Sequence, residues 1–191
     1  MDQLNDLFGL PKGPVLEIRE YNKTLEEWCK EMNVSKILEA SVLKAQLVLV
    51  PAGYKACPKA FSNYASDFYN YCKQNGLSVE ICCEEEDFTQ LELCSFKVRL
   101  GKLFSPATIS GVILWNVVSG YVKDIVDTTI KDDVSVEQTT DVPAFQSEPE
   151  CSFSMIVRDT TGKYFEVKYD GPVSGMEKAG DQIKKIMGDG Q

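Results

Sequence analysis

The 191-residue sequence contains no histidine. That absence removes Ser-His-Asp and Cys-His nucleophile pairs, zincin helices and His-containing zinc fingers together. Positive charge is scarce as well: 20 Lys and Arg face 29 Asp and Glu, a formal net charge of −9. Such an acidic balance argues against a nucleic-acid backbone or an anionic membrane surface as the main partner. The seven cysteines, at positions 29, 57, 72, 82, 83, 94 and 151, form no C-x-x-C pair. Neither a zinc site nor a disulfide framework can be read from them, so no metal and no cofactor is expected. Residues 1–14 carry Asp2 and Asp6 where a secretory signal needs a basic start and an apolar run. Secretion is therefore not expected, and a cytoplasmic location fits the unpaired thiols.

Long apolar runs are missing too, with one exception. Leu103 to Val122 runs twenty residues without a charge, about the length that crosses a bilayer. Ser105, Thr108, Ser110, Asn116 and Ser119 interrupt it, together with Pro106, Gly111 and Gly120. A helix buried in a protein core is the better reading, and no stable membrane insertion is expected.

Apolar material for a core is present. At 43% hydrophobic and 26% charged residues, the chain belongs with globular domains rather than with disordered or low-complexity ones. Leu4, Leu7 and Phe8, before Pro11 and Gly13, predict a short docking segment over 1–13. Val15 to Ile18 predicts a brief strand. Leu25, Trp28, Cys29 and Met32 predict a helix over 24–32 ended by Asn33, and a second helix from Ser35 turns Ile37, Leu38, Val42 and Ala45 inward. Leu47 to Val50 reads as a buried strand closed by Pro51-Ala52-Gly53. Pro58 suits the first turn of a helix that puts Phe61, Tyr64, Ala65, Phe68 and Cys72 on one face and ends at Asn75-Gly76. Leu77 to Cys83 is strand-like again, so this stretch is a βαβ unit with a parallel pair. Leu91 to Leu100 predicts a further strand, with Phe96, Val98 and Leu100 alternating against Lys97 and Arg99. A long helix follows, with Ser105 as N-cap and Ile109, Val112, Ile113, Val117, Tyr121 and Ile125 toward the sheet.

Residues 131–150 differ in kind. Six acidic residues against one basic, two prolines and no helical period mark an acidic linker or strap. Order returns with Phe153, Met155 and Val157, a turn at Asp159-Thr160-Thr161-Gly162, and Phe165, Val167 and Tyr169 alternating back. Ser174 and Glu177 have capping-box spacing, and Met176, Ala179, Ile183 and Ile186 form the stripe of a last helix. The expected class is α/β, mixed α+β: a small, mostly parallel or mixed sheet flanked by helices. An α/β domain spans 14–130, and a C-terminal ββα unit over 151–191 is too small to stand alone and packs on that domain or on a partner.

The strongest candidate site is the loop over 51–59, between a buried strand and an expected helix, where α/β proteins often hold ligands. Gly53, Lys55, Cys57 and Lys59 are its candidate residues. A helix N-terminus and two lysines stabilise a thiolate at Cys57, and the same geometry holds a phosphate or carboxylate on backbone N–H groups. The plain alternative is a connecting loop with an unreactive thiol. The acidic run Glu84 to Asp87 reads as a solvated loop, and the aromatic helix carrying Phe61, Tyr64, Phe68, Tyr69 and Tyr71 reads as core with a partly exposed edge. With no catalytic constellation present, the expectation is a non-catalytic cytoplasmic binding or regulatory protein acting through contacts with another protein or with itself. A small anion- or nucleotide-binding sensor, or a thiol enzyme using Cys57, is the alternative.

Overall fold

The computed structural model describes residues 13–91, 97–106, 109–133 and 148–189. Six strands, β1 (Val15–Tyr21), β2 (Leu47–Val50), β3 (Val79–Ile81), β4 (Val98–Phe104), β5 (Glu150–Arg158) and β6 (Tyr164–Pro172), form one sheet in the order β1-β6-β5-β4-β2-β3. The sheet is mixed. The β2/β3 and β4/β5 pairs are parallel, and the β1/β6, β5/β6 and β2/β4 pairs are antiparallel. The expected ββα unit is present, but its hairpin is no appendage. β5 lies between β6 and β4, and its Met155, Ile156 and Val157 are fully buried, so both faces of this strand are covered there.

Five helices, α1 (Leu25–Glu31), α2 (Lys36–Val42), α3 (Ala65–Gln74), α4 (Gly111–Asp133) and α5 (Glu177–Met187), surround the sheet. One face lies under α4 and α5. Successive side chains of a strand point to opposite sides, and on this side Phe153 of β5 stacks between Trp115 and Tyr169, with ring centroids 5.9 and 5.7 Å apart. Gly180 of α5 sits against the Trp115 indole, where any Cβ would overlap the ring. Phe68 and Tyr71 bring α3 alongside α4 by edge contacts to Tyr121. The opposite face is covered at one end by α1, whose Trp28 Nε1 donates to the Tyr21 hydroxyl at 3.0 Å. Thr24 and Glu27 close a capping box at the start of α1.

Several expected boundaries shift. The helix expected from Pro58 begins only at Ala65, because Phe61 is held in extended backbone: its N–H donates to Thr89 and its carbonyl accepts from Leu91. Leu103 and Phe104, assigned above to the apolar helical run, belong to β4, which spans 98–104 rather than ending at Leu100. The long helix therefore starts at Gly111. Ser105 does not cap it, since its hydroxyl donates to the Gln46 carbonyl; Ser110 does, accepting from Val112 N–H at 3.2 Å. The buried stripe is Leu114, Trp115, Val118, Tyr121 and Val122, and Val112 and Ile113 are exposed. Ile37 points outward at 86% exposure, while Val42 and Ala45 are buried as expected. Ser174 is no cap, because a single 3-10 turn over Val173–Gly175 precedes α5 and Glu177 instead accepts from Trp115 Nε1 at 2.9 Å. The expected strap is shortened at both ends, by α4 to Asp133 and by β5 from Glu150; 134–147 and the segment with Leu4, Leu7 and Phe8 lie outside the described residues.

Candidate functional site

The far end of the second sheet face is not covered by α1. Ser152 and Ser154 of β5, Lys168 and Asp170 of β6, and Val15 and Glu17 of β1 rise from it, paired across the strands as Ser152 with Asp170, Ser154 with Lys168, and Glu17 with Lys168. Arg99 and Lys102 of β4 belong to the same patch. Three residues apart, they point to opposite faces of any regular strand. A bulge between Arg99 and Gly101 inserts Leu100 as an extra residue, so that Arg99 stands opposite Ser152 and Lys102 opposite Ser154. Both then line an open groove of about 660 Å³, walled on one side by Ala52, Gly53 and Tyr54.

Gly101 makes this possible twice over. Its φ of +76° is left-handed, and a Cβ there would sit tightly on the Ser62 Cβ at 3.3 Å and in ordinary contact with Ala52 at 3.6 Å. The missing side chain lets the 52–62 segment close down on the strand and form the wall. Two polar atoms beside the bulge, Arg99 Nε and Ser62 Oγ, are buried without a hydrogen-bond partner. Buried polar atoms are otherwise almost always satisfied.

Charge is distributed unevenly in the groove. Arg99, Lys102 and Lys168 face Glu17 and Asp170, and Asp170 is already held by Lys97 at the rim. Among the described residues, neither Arg99 nor Lys168 has a carboxylate within ion-pair distance. Lys102 does: the fully buried Glu166 lies 3.8 Å from it. Burial pushes the Glu166 carboxyl up, but hydrogen bonds from Ser154 and Arg19 and the charges of Lys102 and Lys168 outweigh it and leave it below the ordinary value. Burial also lowers Lys102; Glu166 opposes this while Lys168, Arg19 and Lys23 add to it. Tyr54 is raised by burial against the pull of the Arg99 charge.

Of the residues singled out in the sequence, Gly53 lines this groove, with φ +75°. Lys55, Cys57 and Lys59 do not. Lys55 and Lys59 are exposed and Cys57 is half-buried in a tight turn, its N–H donating to Tyr54 and its carbonyl accepting from Ala60. With α3 starting at Ala65, no helix N-terminus faces Cys57. The buried thiols are poor nucleophiles for a different reason: burial alone pushes Cys72 to about 12. Burial likewise takes Cys151 to about 12 despite the Lys97 charge. Cys82 and Cys83 are both buried and both raised by burial. In the acidic run, Glu84 accepts from Ser35 N–H at 2.6 Å and Glu85–Asp87 form one exposed 3-10 turn. Among the described residues no three His, Cys, Asp or Glu side chains are placed to hold a metal, and no helix is long and apolar enough to cross a membrane.

No protein-family model, curated protein or solved structure matches this chain. The groove residues must speak for themselves. Sequence reading missed Arg99, Lys102 and Lys168 as a group, since they come from two strands far apart in the chain. One local signal was there: a glycine inside an apolar strand pattern, at position 101, marks a bulge or a close backbone approach.

Proposed function

We propose that this protein is a non-catalytic binding protein whose ligand is an anion seated in the groove over β4, β5 and β6. The observation that carries the reading is the Leu100–Gly101 bulge, which places Arg99 beside Lys102 on the face that carries Lys168 two strands away, in a chain of net charge −9. A chain this acidic gains nothing in solubility from gathering three cations in one concave site, and two of them have no acidic partner among the described residues. The volume suits a small molecule. Three cations in one hollow suit a small anionic molecule, whereas a nucleic-acid backbone calls for a basic stripe. Six described cysteines are free, which supports the cytoplasmic reading. Contact with another protein is the second reading; exposed Ile37 on α2 and Val112 and Ile113 on α4 are among the apolar side chains open to it.

Isothermal titration at constant ionic strength, with inorganic phosphate and with a panel of carboxylates as titrants, tests the first reading. Saturable binding in the millimolar range or tighter supports it, and heats no different from a chloride control at the same ionic strength overturn it.

A further inference from the structure

Resting on the anion-binding reading, we infer that the ligand is a small organic dianion with its two charges at opposite ends of its chain. Among the described residues, Arg99 and Lys168 are the two groove cations without a carboxylate within ion-pair distance. Arg99 stands on β4 and Lys168 on β6, with β5 between them. Neighbouring strands lie about 4.8 Å apart, so the two backbones are separated by about 10 Å. Arg99 is level with Ser152 and Lys168 with Ser154, which offsets the poles by one further step of about 7 Å along the strands.

The cation between them is engaged already. Lys102 shares Glu166 at 3.8 Å, and the Ser154 hydroxyl donates to the same carboxylate. Between the poles lies Ser152 of β5, flanked by Lys102 on one side and by Asp170, held by Lys97, on the other. A monoanion on Arg99 leaves Lys168 unanswered. A chain with an anion at each end satisfies both poles, and its middle crosses β5. Arg99 offers a planar fork matched to a carboxylate, and its buried Nε has a donor to give. Glu17, directly across from Lys168, bars a third negative group at the β1 side.

The experiment is a titration of the wild-type protein with the α,ω-dicarboxylate series from malonate to suberate, against propionate and hexanoate, at constant ionic strength. The expected result is a best fit longer than succinate that binds at least about tenfold tighter than hexanoate. Arg99→Gln and Lys168→Gln, each checked for unchanged melting temperature, are expected to bring that dicarboxylate down to the affinity of the monoacid. Dicarboxylates that bind no better than monoacids of equal length overturn the dianion inference and leave the groove as a simple anion site. The same holds for an affinity that is flat along the series. If neither monoacids nor diacids bind, the groove reading itself falls, and the inference with it.

Discussion

The two faces of the sheet are built from the same strands and solve opposite problems. Toward α4 and α5, β5 and β6 present Cys151, Phe153, Met155, Val167 and Tyr169, all buried. Away from those helices, the alternate residues of the same strands are Ser152, Ser154, Glu166, Lys168 and Asp170. One face is held by area removed from water and by ring packing; the other joins an apolar end, where Ile156 and Phe104 are buried, to one buried carboxylate and the cations gathered round it. The difference teaches that strand alternation alone does not make a site. A shift by one residue, at Leu100, was needed to bring a second cation of β4 onto the polar side.

The comparison breaks first at Glu166. Replacing it with Ala leaves half-buried Lys102 and buried Ser154 beside a void, and is expected to cost about 3–5 kcal/mol in urea unfolding, as much as a core truncation such as Met155→Ala at about 2–5 kcal/mol. A loss under about 1 kcal/mol would show that the polar face is not organised by this carboxylate. The sign with pH follows from the depressed value of Glu166. Its stabilisation is complete above the ordinary glutamate value of 4.5 and is lost as pH falls from there through its lower folded value. Acid titration of stability should therefore be shallower in Glu166→Gln than in the wild type.

Next in size is Gly101→Ala, expected to cost about 1–2 kcal/mol from its left-handed backbone, with some addition from the Ser62 contact. Because the change moves the groove wall, ligand affinity should fall with stability, a joint effect that thermal unfolding with and without dicarboxylate can read. Smaller still is Glu17→Gln at the exposed edge strand. Removing that charge opposite Lys168 should leave stability within about 0.5 kcal/mol and tighten anion binding by less than about fivefold. Ile37→Ser, on a side chain exposed at 86%, should change neither stability nor anion affinity. If it instead abolishes self-association in sedimentation experiments, the protein-contact reading gains its surface.

Much of the apolar face was legible in the sequence, because it rests on local periodicity. The alternation of Phe153, Met155 and Val157, the turn at Gly162 and the stripe of Met176, Ala179 and Ile183 are patterns within single elements, and each appears in place. The shifted helix starts have a common cause. Neither Phe61–Phe68 nor the apolar run Leu103–Val122 carries a mark that separates strand from helix at its start, and pairing with residues distant in sequence, as Phe61 with 89–91 and β4 with β5, decided them. The groove was the least legible part. Arg99 and Lys168 lie far apart in the chain and meet only through the sheet order, and a loop lysine such as Lys59 looks more like an anion ligand than a strand arginine does.

That contrast between loop and strand supplies the most direct test. Anion affinity, measured by titration calorimetry at constant ionic strength, should be compared in Lys59→Gln, from the loop that sequence favoured, and Arg99→Gln, from the bulged strand. A groove site predicts that Lys59→Gln matches the wild type, whereas Arg99→Gln loses about tenfold or more, the worth of one charge-assisted hydrogen bond. Loss of binding in Lys59→Gln with Arg99→Gln unaffected would contradict the account and return the site to the loop over 51–59.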